Sequence, residues 1–439
     1  MTPLILDVWF EGVDQPVGHL VSDDFKALSF RYTEAGLRAR ARLSISLPLQ
    51  EDPFPDAPVR AFFDNLLQEN QQLANVRDRF HLDRDDVAGL LFRLGSDLAG
   101  AISCVPSGEK ATKRPGCLAS DYDRLAREDL AAIMRALRDF GRLPSEARDP
   151  SPLAGVQPKL ALVDFGDGSF GLPRPGTGAP TTHILKMPSA REPNLALQET
   201  TLLDTARTVV GHPVVEARVI SLEGMEGLLV RRFDRVVESG MVTRLHQEDF
   251  AQALGLPAAM KYEHKGGFFH AGRVGELLAE TDAPLVARLA FLRATVMNIA
   301  FGNTDNHAKN HALLHVPGRS RPVLAPLYDI VPVVLDRNVH HDFAFRIGKA
   351  ARLEELTGED FPLFLGALGL ARAGLRQKQR ISELLGAIVA SLDRLNGPRL
   401  KLLGDMIASR VKHLAAAWGL DVMVPVRNAH VEDARMMLG

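Results

Sequence analysis

The chain has 439 residues, 46% of them hydrophobic and 24% charged, with a formal net charge of −2. That length buries a large core in two or three domains, and so balanced a charge excludes a protein that coats nucleic acid broadly. No run of eighteen apolar residues is present, which argues against a membrane span. The first residues lack the basic start and long apolar stretch of a signal peptide. Two cysteines, Cys104 and Cys117, are too few for a disulfide framework or a structural zinc site, so a cytoplasmic protein with reduced thiols is expected.

In the first hundred residues, Leu4 to Phe10, Val17 to Leu20 and Ala27 to Tyr32 alternate as strands. Pro53 to Pro58 is a proline-rich loop leading into an amphipathic helix from Val59 to Leu67. A helix from Asp85 to Leu91 opens on acidic residues that suit its positive end, and Gly95 to Pro106 reads as a closing strand. The polar stretch Ser107 to Pro115 then marks a boundary, setting 1–108 apart as an N-terminal unit. A helix from Arg127 to Gly141 dominates a helical connection over 109–148, and Leu143 to Pro152 is proline-rich.

A strand-rich unit over 149–235 follows. Lys159 to Asp164, Thr182 to Met187, Val214 to Ser221 and Gly227 to Phe233 are β-like, with a helix from Leu195 to Val210 between the second and third. Strand, strand, helix, strand, strand is the order of a kinase N-lobe. From Gln247 onward helical periodicity dominates: Phe250 to Leu254, Pro284 to Ala300, Phe361 to Leu370, Gln377 to Leu395 and Leu400 to Trp418. The only β-like interruption is around 311–328, so 236–439 reads as a helical C-lobe. Between Arg372 and Lys412 there are nine Lys or Arg against three acids (Glu383, Asp393, Asp405). Such a run is either a solvated helical face or a surface for an acidic partner or a DNA backbone.

The residues that carry chemistry are Asn303-Thr304-Asp305-Asn306-His307-Ala308-Lys309-Asn310, followed by Tyr328-Asp329. An Asp, an Asn five positions on, and a second Asp is the order in which protein kinases place a catalytic base and two magnesium ligands. His311 to Val316 and Pro322 to Tyr328 can form a hairpin around the Pro317-Gly318 turn. The residues flanking its open end, Asn310 and Asp329, would then lie roughly 5 Å apart across the ladder. Two oxygen ligands there suit Mg²⁺, and Asp305 in the preceding loop can accept a hydroxyl proton. Three upstream features agree. A small-residue loop from Ser151 to Pro158 enters a strand and can bring backbone N–H groups to phosphates. Lys186 sits in an apolar strand, where a cation is costly without an anion. Glu199, on the following helix, stands where a kinase places the partner of its nucleotide lysine.

With these motifs in place the chain resembles the HipA toxins, the serine/threonine kinase component of bacterial HipBA toxin–antitoxin modules. The resemblance runs over nearly the whole length. It rests on Leu43-Ser44-Ile45-Ser46-Leu47-Pro48-Leu49, Phe62-Phe63-Asp64-Asn65-Leu66-Leu67 and Gly95-Ser96-Asp97-Leu98-Ala99-Gly100-Ala101. In the kinase body it adds Gly155-Val156-Gln157-Pro158-Lys159, His183-Ile184-Leu185-Lys186, Arg232-Phe233-Asp234-Arg235, His246-Gln247-Glu248-Asp249-Phe250 and the Gly302-to-Asn310 and Tyr328-Asp329 segments.

The resemblance implies an α/β, two-lobed protein-kinase-like fold with an N-terminal accessory α/β subdomain, the 1–108 unit, and an all-helical C-lobe. It implies Asp305 as catalytic base, with Asn310 and Asp329 as magnesium ligands. Lys186 would hold ATP phosphates under a loop of Leu153, Ala154, Gly155, Val156, Gln157 and Pro158. Arg231, Arg232 and Phe233 would bind adenine as a hinge through their backbone, and His307 and Tyr328 would lie beside the nucleotide. Ser151 matches an autophosphorylated serine that switches relatives off, although Pro152 stiffens that loop here. Arg231 stands where relatives often carry Glu, which a backbone-mediated hinge tolerates. The implied target is a protein serine, typically on an aminoacyl-tRNA synthetase, so that translation and growth stop. The implied partner is a HipB-like helix-turn-helix antitoxin bound to operator DNA. Two other readings stay open at this point: a small-molecule kinase of the aminoglycoside or choline type, and a non-catalytic kinase-like regulatory protein.

Overall fold

The computed structural model describes residues 3–67, 77–78, 80–83, 85–95, 98–111, 113–144, 157–371 and 374–427. Ser151 and the Leu153, Ala154, Gly155 and Val156 positions of the phosphate loop lie outside the described residues. The chain forms two compact units. The first comprises Met1–Pro193, Arg218–Ala258 and Ala312–Arg319; the second comprises Asn194–Ala217, Ala259–His311 and Ser320–Gly439.

The first unit opens with β1 (Leu4–Phe10), β2 (Gly18–Ser22) and β3 (Leu28–Tyr32), then α1 (Glu34–Ala39), α2 (Asp56–Asp64), α3 (Val87–Leu94) and β4 (Ile102–Pro106). The strands form an antiparallel sheet in the order β3-β2-β1-β4. Alternation does the sorting: Leu28, Phe30 and Tyr32 of β3 are buried, while Ser29 and Arg31 between them are not. Phe30 packs with Phe62 and Phe63 of α2, all three fully buried and each worth about 1.5–3 kcal/mol of burial.

Next come β5 (Gly116–Cys117), β6 (Tyr122–Arg124), α4 (Arg127–Phe140), β7 (Lys159–Asp164), β8 (Phe170–Pro173) and β9 (His183–Lys186). The helix α5 (Leu195–Val209) belongs to the second unit, and β10 (Ala217–Leu222) and β11 (Met225–Arg231) follow it. A six-stranded sheet runs in the order β10-β11-β9-β7-β8-β6. Leu130, Met134 and Leu137 of α4, at helical spacing, share a core with Leu160, Leu162, Leu185 and Leu229 of that sheet. The remaining strands of this unit are β12 (Arg235–Glu238), β13 (Met241–Arg244), β14 (His246–Asp249) and β15 (Ala312–His315), with the one-turn helix α6 (Phe250–Ala253) after β14. β14 pairs antiparallel with β15, from His246 opposite His315 to Asp249 opposite Ala312.

A polar seam joins the accessory strands and helices to this second half of the unit. Arg244 Nε donates to Glu11 at 2.6 Å, and His246 Nε2 to the Leu43 carbonyl at 2.7 Å. The buried Glu248 carboxylate accepts from Ser44 Oγ at 2.5 Å, from the Ile45 N–H, and from His315 at 2.9 Å. The signal was the alternation of Arg244, His246 and Glu248, every second residue turning one way.

The second unit contains α7 (Ala271–Leu277), α8 (Pro284–Phe301), β16 (Val323–Leu324), α9 (Asp360–Ala367), α10 (Gly374–Ser391) and α11 (Lys401–Trp418), besides α5. Proline at its first turn and glycine past its end bracket α8. Gly302 has φ +72°, and a Cβ there would meet a Val334 methyl at 2.5 Å, so only glycine fits this turn into the 303–310 loop. By length and mean hydropathy α8 alone among the described residues resembles a membrane span, but 67% of it is buried inside the protein. It is a core helix.

The structure adds strands that periodicity does not reveal. β5, β6, β8, β12 and β13 have two to four residues each, too short for an alternating pattern to register. The closing strand expected from Gly95 begins only at Ile102, because Gly95 caps α3. The basic run of α10 and α11 is dispersed. Arg410 is buried and donates to the Ile299 carbonyl, Lys378 donates to the Trp418 carbonyl, and Lys401 pairs with Asp405. Arg376, Arg394 and Lys412 are exposed.

Candidate functional site

The loop after α8 gathers the predicted catalytic residues within the second unit. Asn310 Nδ2 donates to the Asp305 carbonyl five positions earlier at 2.6 Å, closing the loop and turning its Oδ1 away from that contact. The Tyr328 hydroxyl donates to the Lys309 carbonyl at 2.8 Å. Asn303 Nδ2 donates both to Asn298 Oδ1 and to the Asp329 carbonyl, each at 3.1 Å. Asp305 and Asn310 are thus joined directly, and Tyr328 and Asp329 are each tied by a bond to another residue of the same loop, Lys309 and Asn303. Asp329 is held at φ +57°, a left-handed conformation that a non-glycine residue adopts only under local constraint.

The Asp305 carboxylate is 41% exposed, whereas His307 is buried, with Nε2 at 4.0 Å from Asp305 Oδ1. That same oxygen accepts from the Tyr262 hydroxyl at 2.5 Å, and the Tyr262 ring meets His307 edge-on at 5.0 Å. Tyr262 is a residue that sequence reasoning missed. It lies 43 positions from Asp305, and no spacing rule connects the two.

The residues expected to meet phosphates lie in the first unit, save Glu199. Lys186 ends β9, and the register sets it directly opposite Lys159 of β7 on one side and Leu228 of β11 on the other. Opposite residues in an antiparallel pair share a face, so the two lysines stand side by side. Only register could reveal Lys159. Pro158 enters β7 with its carbonyl accepting from the Met187 N–H, and Gln157 precedes it. Glu199 is buried in α5 of the second unit.

The segment expected to act as a hinge, Arg231 to Phe233, shows a division of labour. The exposed Arg231 ends β11 opposite His183. The Arg232 N–H donates to the Thr182 carbonyl, and its buried guanidinium forks onto Asp234 at 3.0 and 2.9 Å and reaches Thr181. Arg235 Nη1 adds a 2.6 Å bond to Asp234, and the Gly100 N–H another at 3.1 Å. Burial alone would raise the Asp234 carboxyl; Arg232 and Arg235 outweigh it and hold the group well below the usual carboxylate range. The Arg232 side chain is therefore structural, and Phe233 between the two arginines is half-buried.

One carboxylate and one side-chain amide fit a hard divalent cation that also takes phosphate and water oxygens. Among the described residues no group of three or more His, Cys, Asp or Glu side chains gathers at a metal-sized site.

Residues 6–105 match the family model of the HipA N-terminal domain, and residues 151–394 that of the HipA-like C-terminal domain. The protein Y4mE of Sinorhizobium fredii, provisionally named a kinase, is 32% identical over 425 residues, covering 94% of this chain and 99% of that one. The serine/threonine-protein kinase toxin HipA of Shewanella oneidensis is 27% identical over 405 residues, with 87% and 89% covered. Among solved structures, the Shewanella oneidensis complex of HipA, HipB and operator DNA shares the fold. It superposes with a TM-score of 0.78 at 23% identity, over 95% of this chain and 100% of that one.

Proposed function

The chain belongs to the HipA family, and on that premise we propose that it is a serine/threonine protein kinase that transfers the γ-phosphoryl group of ATP to a protein serine. The observation that carries the reading is the cluster of Asp305, Asn310 and Asp329, tied by the Asn310–Asp305, Tyr328–Lys309 and Asn303–Asp329 hydrogen bonds. Asp305 would receive the proton of the acceptor hydroxyl as it attacks phosphorus. Asn310 and Asp329 would hold magnesium on the nucleotide, and magnesium supplies neutralisation of charge on the phosphates. Lys186, with Lys159 beside it, would meet phosphate oxygens under the 153–158 loop. The Arg231 to Phe233 backbone would receive adenine, with Arg232 anchored from behind by Asp234. His307 and Tyr328 would lie beside the nucleotide in this scheme.

The partner side of the reading rests on relatives. The Shewanella oneidensis protein was solved with HipB and operator DNA, and we extend a HipB-like antitoxin, with DNA held through it, to this chain. The protein substrate would be an aminoacyl-tRNA synthetase in the cytoplasm. Ser151 would be an inactivating autophosphorylation site, since a phosphoserine there sets like charge beside ATP phosphates.

Purified protein incubated with Mg²⁺ and labelled ATP should label itself at Ser151, and Asp305→Asn should abolish the label. A folded native chain that binds no ATP and labels nothing would sink the kinase reading. Phosphoproteomics after induced expression, native against Asp305→Asn, identifies the target.

A further inference from the structure

We propose that Tyr262 is a positioning residue for the catalytic base, its hydroxyl holding the Asp305 carboxylate in the orientation that receives the acceptor's proton. The proposal rests on the kinase reading of Asp305. A base must lie within about 2.6–3.2 Å of the oxygen whose proton it takes, and a 41% exposed aspartate on a loop has rotamers that miss that distance. The 2.5 Å bond from Tyr262 Oη to Asp305 Oδ1 selects one of them. The acceptor hydroxyl is then met by the other carboxylate oxygen.

Tyr262 is itself held from several sides, which is what a positioning group requires. Its ring meets His307 edge-on at 5.0 Å and His264 face-inclined at 5.2 Å, and Lys261 Nζ lies 5.7 Å from the ring centre. The backbone on either side is pinned as well. The Ala308 N–H donates to the Lys261 carbonyl at 3.1 Å, and the Glu263 N–H to the Ala344 carbonyl at 2.9 Å. Glu263 in turn accepts from the Arg346 N–H at 2.6 Å. One strap of residues thus joins the catalytic loop to the 344–346 segment and delivers a hydroxyl to the base. His307 stands 4.0 Å from the same oxygen, too far for a hydrogen bond, so the tyrosine makes the orienting contact.

Tyr262→Phe removes only the hydroxyl and keeps the ring contacts, so the variant should fold with an unchanged melting temperature. Its kcat for phosphoryl transfer should fall roughly 10- to 100-fold while the KM for ATP stays within about twofold, the signature of an interaction made at the transition state. In a crystal of the variant the Asp305 carboxylate should occupy more than one rotamer, against one in the native protein. An unchanged or raised kcat overturns the proposal. If the native chain shows no kinase activity, the kinase reading fails separately, and the crystals still decide: the same single Asp305 rotamer in both proteins overturns the positioning role.

Discussion

Tyr328 and Lys309 are joined by a 2.8 Å hydrogen bond from the phenol to the backbone carbonyl. Each immediately precedes a proposed magnesium ligand, Asp329 and Asn310. The bond therefore sets the spacing of the two ligands without touching a metal itself. Tyr328→Phe should preserve folding, raise the Mg²⁺ concentration needed for half-maximal activity several-fold, and lower kcat at saturating magnesium by less than tenfold. Initial rates across a magnesium titration measure both. A loss that no magnesium concentration narrows would show that the phenol acts elsewhere.

A second prediction concerns the hinge. Asp234 is buried and pairs with both Arg232 and Arg235. Asparagine in its place keeps the shape but removes the negative charge that both buried guanidinium groups bind. The expected cost is about 3–5 kcal/mol, since breaking a buried ion pair strands its partners. Urea unfolding of Asp234→Asn against the native chain gives the number. The exposed Glu34–Arg38 pair on α1 is the control, and Glu34→Gln should shift the midpoint little.

Much of this architecture is legible in the residues, for physical reasons that vary by element. α8 is bracketed by Pro284 and Gly302, and β7 is an apolar run whose bounds read directly from Lys159 to Asp164. The order Asp305, Asn310, Asp329 is readable because it matches the order in which protein kinases carry a base and two magnesium ligands. Tyr262 and Lys159 do not announce themselves, since their relevance arises from a tertiary bond and a strand register. Arg232 shows a further limit: its motif is readable, but only burial reveals that its side chain binds Asp234.

The pH dependence of stability offers a third prediction, centred on His246. Burial pushes its imidazole down from 6.5 to about 3, helped by the nearby His315 and the Arg42 and Arg244 charges, while its bond to the Leu43 carbonyl works the other way. A histidine with a depressed folded pKa is neutral in both states above about 6.5, so its contribution is complete there. As pH falls from 6.5 toward 3, the unfolded chain takes up a proton that the folded chain refuses, and stability drops by about 1.4 kcal/mol per pH unit. At pH 5 this single residue should cost about 2 kcal/mol relative to pH 7. His246→Gln keeps a donor for Leu43 and cannot titrate, so its loss of stability between pH 7 and pH 5 should be smaller by about that amount. Urea midpoints of both proteins at the two pH values test it, and parallel losses in both would place the acid sensitivity on other groups.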